Sequence, residues 1–423
     1  MMNVPALDRA MGMEVYSTKI SGIDGRIKQT PDQFVVEEIL DSSLDLAAKS
    51  DDTHLYPLYL LKKDSIDSSH AIKEVEMATG LKLKVVGLKD AKAVTKQYAS
   101  VNRKQQDAMD KLATKHCALD LVGYTSKPIT KRMLIANRFA ITINELHGNV
   151  QQCVDELQKC IDEKSVANFY GYQRFGSARP VTHLVGREIV KQNFKQAVNL
   201  FLCYSGEYES EQNKEIREMC RDNSNFANIL QIMPGKMDLE RILLTELMRS
   251  NDPVKAIRRL PITIRRLFVQ AYQSYIFNRS LSIAIKEGYD MVSPKQNDIC
   301  FSYADNSAQI IGMERFDGIT KTKTMKLLAI PLAGYAFRDN NRFSAIVKRV
   351  MEEEYVDMKN FYVKDLQEVS VEGGFRQASM LCGELSYSLS ELLQIKFVLQ
   401  KGTYATILLR ELMKPSDPIT AGF

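Results

Sequence analysis

The stretch VVGLKDAKAVTKQYAS, Val85 to Ser100, sets one acid, Asp90, behind an apolar pair, a glycine and a lysine. An apolar run closed by Gly87 reads as the end of a strand, and a side chain just beyond it is exposed, as many active-site carboxylates are. A tight turn accounts for the same residues, because turns favour Asp and Gly for their backbone geometry. Within this window alone the turn is the commoner use. The residues before it fit a strand end: HLYPLYLLKK alternates apolar and polar positions as a strand does. SSHAIKEVEMATGL then places Ile72, Val75 and Met77 behind serines able to cap a helix, and Gly80 ends it. With GRIKQTPDQFVVEEIL, a short β-rich core after a proline turn, the first segment reads as mixed α and β.

Farther along, RMLIANRFAITINEL predicts a pair of strands about Asn137, and NVQQCVDELQKCIDEK an amphipathic helix with Val150, Cys153, Leu157 and Ile161 on one face. From about Gly186 to about Asp365 the texture changes to helices rich in Lys, Arg, Gln and Asn, such as MDLERILLTELMRS and PVKAIRRLPITIRRLFVQAYQSYIFNRSLSIAIKEG, with strands near DICFSYADNSAQIIG. Beyond Asp365, LSELLQIKFVLQKGTYATILLREL returns to strand-like alternation. Three segments result, 1–185, 186–365 and 366–423, the middle one a separate, mainly helical unit. No internal repeat interrupts them.

Composition narrows the function by exclusion. At 423 residues, 45% hydrophobic and 26% charged, the chain is ordinary for a globular protein of two or more domains. The five histidines and seven cysteines are scattered, with no C-x-x-C and no cluster at zinc-ligand spacing, so no metal is expected. Neither a G-x-x-x-x-G-K-[ST] loop nor a G-x-G-x-x-G fingerprint occurs, and nucleotide-cofactor chemistry has no support. An odd cysteine count and an opening without a secretory apolar run predict reduced thiols and a cytoplasmic location. No apolar run is long enough to span a bilayer. A net charge of +5 suits a nucleic-acid partner and equally fits many unrelated enzymes.

The densest motif is NFYGYQRFGSARP, Asn168 to Pro180, with four aromatics and two arginines, broken by Gly171 and Gly176 where the backbone must turn or pass close to something. Aromatic faces and guanidinium forks suit an unstacked base and its phosphates, and a packed aromatic corner with arginines on its rim is the plain alternative. LQKGTYATILLREL reads as a turn at Gly402 leading into a helix, with Thr403 as N-cap, Arg410 and Glu411 near its end, and Tyr404 placed to present its ring to a cavity. In KQTPDQFVVEE, Lys28 and Glu37 read by default as surface charges and Phe34 as core. AIRRLPITIRRLF reads as a solvated helix face, or, lining a cleft, as a phosphate-contacting stripe from Arg258 to Arg266.

In this order, KQTPDQFVVEE, GLKDAKAVTKQ, NFYGYQRFG and KGTYATILLREL resemble the TruD family of tRNA pseudouridine synthases, in its archaeal-type form, from about residue 20 to residue 412. AYQSYIFNRSLS, PLAGY and EGGFRQAS match more loosely. The resemblance implies an α+β fold: a pseudouridine synthase catalytic core on a mixed, mainly antiparallel sheet, interrupted by a large α/β insertion, the TRUD domain. It implies a cofactor-free enzyme that isomerises uridine to pseudouridine in tRNA, at position 13 of the D-arm. Asp90 is then the catalytic carboxylate, attacking C1' or C6 or removing a ribose proton, and Lys28, ahead of Lys89 and Lys92, its basic partner. The target uridine must be flipped out of its stack. Phe34, Asn168, Tyr170 and Tyr404 fall at positions around the flipped base, with Gln173 and Arg174 as RNA contacts.

Tyr170 and Tyr404 stand where Phe is common in the family, Gln400 where Pro is common, and Phe375 where an Arg often follows the glycines. A binding module that refolds tRNA would use the same cleft, but it would not need Asp90. No feature demands a dimer, and a monomer is compatible with the sequence.

Overall fold

The computed structural model describes residues 3–423 except 88, 90, 91, 102, 106, 107, 223, 224, 304–309, 319–324, 339 and 340. Asp90 therefore lies outside the described residues. In chain order, α1 (Ala6–Ala10) precedes β1 (Phe34–Leu40), β2 (Tyr56–Asp64), α2 (Ser68–Thr79), β3 (Leu83–Val85), β4 (Val94–Val101), β5 (Lys111–Ala113), β6 (Cys117–Thr125), β7 (Leu134–Ile143) and α3 (Val150–Asp162). A helical run follows: α4 (Thr182–Val190), α5 (Phe194–Cys203), α6 (Glu211–Met219), α7 (Phe226–Ile232), α8 (Asp238–Ser250), α9 (Pro253–Arg259) and α10 (Ile262–Lys286). Then come β8 (Ile299–Tyr303), β9 (Ile310–Arg315), β10 (Met325–Leu332), α11 (Arg342–Glu353), β11 (Gly374–Gln377), β12 (Cys382–Leu389), β13 (Leu393–Gln400) and α12 (Ala405–Met413).

Among the described residues one nine-stranded sheet runs β12-β13-β7-β1-β4-β2-β6-β5, with β3 added beside β4. Only β1 and β4 pair in parallel, so the sheet is mixed and mainly antiparallel, as expected. A second, antiparallel sheet runs β11-β10-β8-β9. Its β11 comes from beyond Asp365, so the chain visits the second sheet once more before it finishes the first.

Register builds the floor of the site. Phe397, Phe139, Val36 and Thr95 are aligned across β13, β7, β1 and β4, and Leu399, Asn137 and Glu38 form the next row. Side chains two apart in a strand share a face, so both rows point the same way. Over that face lie α3, through Cys153, Val154, Leu157 and Ile161, and α12, through Ile407, Leu408 and Leu412. Each such aliphatic side chain contributes roughly 1.5–3 kcal/mol by leaving water. The helical run has a core of its own, in which Val185, Phe201, Leu243 and Val347 take part. Helix α10 serves both cores, with Phe277 and Leu281 in the first and Val269, Tyr272 and Ile276 in the second. Gly186 lets α4 lie against it, for a Cβ there would stand 1.9 Å from the Phe268 carbonyl oxygen. No helix among the described residues is long and apolar enough to cross a membrane.

Four local expectations change. RMLIANRFAITINEL is one strand rather than two, because Asn137 is paired on both sides, to Glu38 and to Leu399, and no turn residue breaks the run. Asp67, not a serine, caps α2, accepting from the Ser69 and His70 amides. Ser68, Ala71 and Val75 form the buried face of that helix, while Met77 is 88% exposed. Thr403 does not cap α12; its hydroxyl donates to the Gln400 carbonyl at 2.6 Å, and Tyr404 holds the N-cap position without a side-chain bond.

Candidate active site

A cavity of about 190 Å³ opens over the two rows at the centre of the large sheet. Val36, Ala93, Thr95, Asn137 and Phe139 make its floor. Its walls come from four other places: Lys28 and Phe34 at the entry to β1, Lys89 after β3, Gln173 in the turn of the NFYGYQRFG motif, and Thr403 to Thr406 at the start of α12. Residues 89 and 93, on either side of position 90, both line it.

The lysines are held differently. Lys28 has a left-handed backbone, φ 58°, which costs a non-glycine residue roughly 1 kcal/mol and must be held by its surroundings. The Ile27 amide donates to the Ala421 carbonyl at 2.9 Å, and Arg26 bridges Asn144, so the loop is clamped on both sides. Its Nζ stands 4.6 Å from the centre of the Phe34 ring, and Phe34 packs edge-on against Phe139 at 6.2 Å. Lys89 is pinned inside the protein instead: Nζ lies 3.1 Å from Glu38 Oε1 and donates to Asn137 Oδ1 at 2.7 Å. The Glu38 side chain is fully buried, and its other oxygen accepts from the Tyr98 amide at 2.8 Å.

Behind the α12 wall stands a layer of stacked cations and rings. Tyr170 and Tyr404 meet at 6.3 Å, and Tyr170 packs edge-on to Phe277 at 5.5 Å. The Arg376 guanidinium covers the Tyr170 ring at 4.0 Å, a contact that contributes roughly 0.5–2 kcal/mol depending on desolvation. Asn168 fixes that arginine, its Oδ1 accepting from Nη2 at 2.8 Å and its carbonyl from Nε at 3.1 Å. Burial pushes the Tyr404 phenol pKa up, so the ring stays neutral. Gly171 permits the whole arrangement: a Cβ there would be 2.9 Å from the Tyr404 ring.

Helix α12 is set by charges at its far end. Arg410 and Glu411 are both fully buried, and Arg410 Nε meets Asp8 Oδ2 at 2.5 Å. Tyr172, from the same motif as Gln173, donates to Asp8 Oδ1 at 2.8 Å, and Glu411 accepts from the Ser17 and Thr18 amides.

The structure thus brings Lys28, Phe34, Gln173 and Tyr404 together around one cavity. Asn168, Tyr170 and Arg174 are not among its lining residues: Asn168, 2% exposed, holds Arg376, and Arg174 donates to Ser274 Oγ at 3.1 Å and lies over Tyr170 at 5.6 Å. The stripe is engaged elsewhere. Arg258 donates to the Asp365 carbonyl, Arg259 to Glu246, Arg265 pairs with Glu368, and Arg266 donates to the Glu368 carbonyl. Reading the sequence missed Thr95, Asn137 and Arg376. Thr95 sits five residues past Asp90 in the quoted stretch, and Arg376 directly follows Phe375, where a cation after the glycines was sought. Gln400, at the proline position, accepts from Gln377 at 3.0 Å and Tyr303 at 3.2 Å and so ties the two sheets.

A family model described as tRNA pseudouridine synthase D (TruD) matches residues 10–412. The chain is 29% identical over 437 residues to a protein of Pyrobaculum islandicum, with 100% of both chains covered. It is 28% identical over 442 residues to one of Methanococcoides burtonii, with 98% of both covered. Both relatives are named "Probable tRNA pseudouridine synthase D". The crystal structure of the Methanosarcina mazei protein described as TruD aligns with a TM-score of 0.79 at 27% identity, over 99% of this chain and 100% of that one. The family model and the names of these relatives define an isomerase. The chain belongs to the tRNA pseudouridine synthase D (TruD) family.

Proposed function

We propose that the chain converts uridine to pseudouridine in tRNA, at position 13 of the D-arm, by flipping the target nucleotide into the cavity between the large sheet and α12. Asp90 is the catalytic carboxylate and no cofactor takes part. The observation that carries this reading is the convergence on one cavity of Lys28, Phe34, Gln173, Tyr404 and the chain on both sides of position 90. Uracil must leave C1' and return through C5, so a carboxylate has to stay ionised at the sugar–base junction while water is kept away. A nearby cation favours that charge. Lys28, which lines the same cavity and which the family resemblance places as the partner of Asp90, is assigned this part.

Flipping costs a few kcal/mol, and stacking a base on a ring returns roughly 1–3 kcal/mol. Phe34 and Tyr404 border the cavity and offer rings for it; Tyr170, backed by Arg376 and Asn168, supports Tyr404 from behind. Gln173 and Arg174 extend the contact toward the RNA. Segments 1–185 and 366–423 form the catalytic unit and 186–365 the inserted one, in a cytoplasmic enzyme. The test is pseudouridine mapping on unmodified tRNA transcripts: Asp90→Ala binds tRNA and makes no product, and product from that variant removes the assignment.

A further inference from the structure

The chemistry of one hydrogen bond fixes how Asn137 faces the cavity. An ammonium only donates, so Lys89 Nζ, at 2.7 Å, must meet the amide oxygen of Asn137 and not its nitrogen. The opposite orientation would set NH₂ against NH₃⁺. Lys89 cannot drift, because buried Glu38 holds it at 3.1 Å and is itself held by the Tyr98 amide. The Asn137 NH₂ is therefore presented away from Lys89, it has no acceptor among the described residues, and Asn137 lines the cavity. Across the same floor lies Thr95, whose buried hydroxyl has no hydrogen-bond partner among the described residues.

We infer that Asn137 is the residue that reads the target base, and that Glu38 and Lys89 are positioning residues that keep its amide from turning over. The inference rests on the cavity receiving a flipped uridine. The edge of uracil away from the sugar carries a carbonyl oxygen, an N–H and a second carbonyl oxygen; cytosine replaces the first with an amino group and the N–H with a bare nitrogen. A pinned amide donor donates to that carbonyl and meets the cytosine amino group donor to donor. Thr95 completes the match, its oxygen accepting the uracil N–H. The sheet floor thereby excludes cytidine before any chemistry begins.

The experiment compares binding of two tRNA transcripts, uridine or cytidine at the target position, by the full chain and its variants. The wild type favours the uridine transcript by about ten-fold or more, the size of one buried hydrogen bond left unmade. Asn137→Asp, which keeps the Lys89 contact but offers an acceptor to the cavity, brings that ratio to about one or reverses it. Lys89→Met, which leaves Asn137 in place but free to flip, lowers the ratio as well, an effect that a mere packing role for Lys89 would not produce. Thr95→Val lowers it less. A wild-type ratio near one, or an unchanged ratio in both Asn137→Asp and Lys89→Met, overturns the inference. Should Asn137→Asp fail to fold, the Lys89→Met ratio decides. Loss of product in Asp90→Ala alongside an unchanged ratio would sink only the reading role of Asn137, while product from Asp90→Ala would sink the catalytic assignment instead.

Discussion

Lys28 and Lys89 at the sheet, and the arginines of α9 and α10, are the same kind of residue put to opposite uses. Both sheet lysines line a cavity, one on a strained loop over Phe34 and the other locking an amide into place. Arg258, Arg259, Arg265 and Arg266 instead fasten helices to residues 246, 365 and 368. The run of four reads in the sequence as a solvated helix face or, lining a cleft, as a phosphate-contacting stripe. What separates the two sets is the supply of acceptors: where the fold sets carboxylates and helix-end carbonyls beside a cation, the cation staples structure. Around the cavity the acceptors are arranged to leave something facing inward.

The sharpest way to break this contrast is at Arg410, the most completely enclosed cation of the structural kind. Arg410→Met leaves Asp8 and Glu411 buried without their counter-charge, and the expected loss in stability is about 3–5 kcal/mol by urea denaturation. A loss below about 1 kcal/mol would mean that the pair adds little beyond its own desolvation. Next in size is Lys28→Met. Single-turnover pseudouridine formation should fall about 10²–10³-fold, as for removal of one preorganised charge-stabilising group. Stability should change by less than about 1 kcal/mol, so a variant that loses stability and activity in parallel would move Lys28 into the structural set. The smallest effect is expected from the pair Arg258→Gln and Arg266→Gln. The salt dependence of tRNA binding should keep its slope, whereas a drop of about 1 per arginine removed would put them on phosphates and revive the stripe.

Much of the fold could be read from local pattern. The amphipathic period of α3 and the alternation of β2 and β13 needed nothing beyond their own residues, and the ordered motifs led to four of the cavity's walls. Asn137 was not legible, because its meaning comes from register: it faces the cavity only since β7 pairs with both β1 and β13 and Lys89 reaches across from another loop. Likewise, nothing in EGGFRQAS tells that Arg376 will cover Tyr170, some two hundred positions away in the chain. Asn168, expected beside the base, does not line the cavity; its side chain spends both ends on Gln377 and Arg376. Charge partners distant in sequence leave no periodic trace.

The order of strands in the large sheet also sets when this protein can begin to work. Its middle strands, β7, β1 and β4, are made early, but β13 closes their row and α12 brings Tyr404, the last wall of the cavity. On the ribosome, the helical run already has its own core while the face of β1 and β7 still waits for its cover. The cavity's α12 wall, Thr403 to Thr406, is encoded near the end of the chain, so a chain cut before it would leave the apolar face of β1 and β7 without that cover.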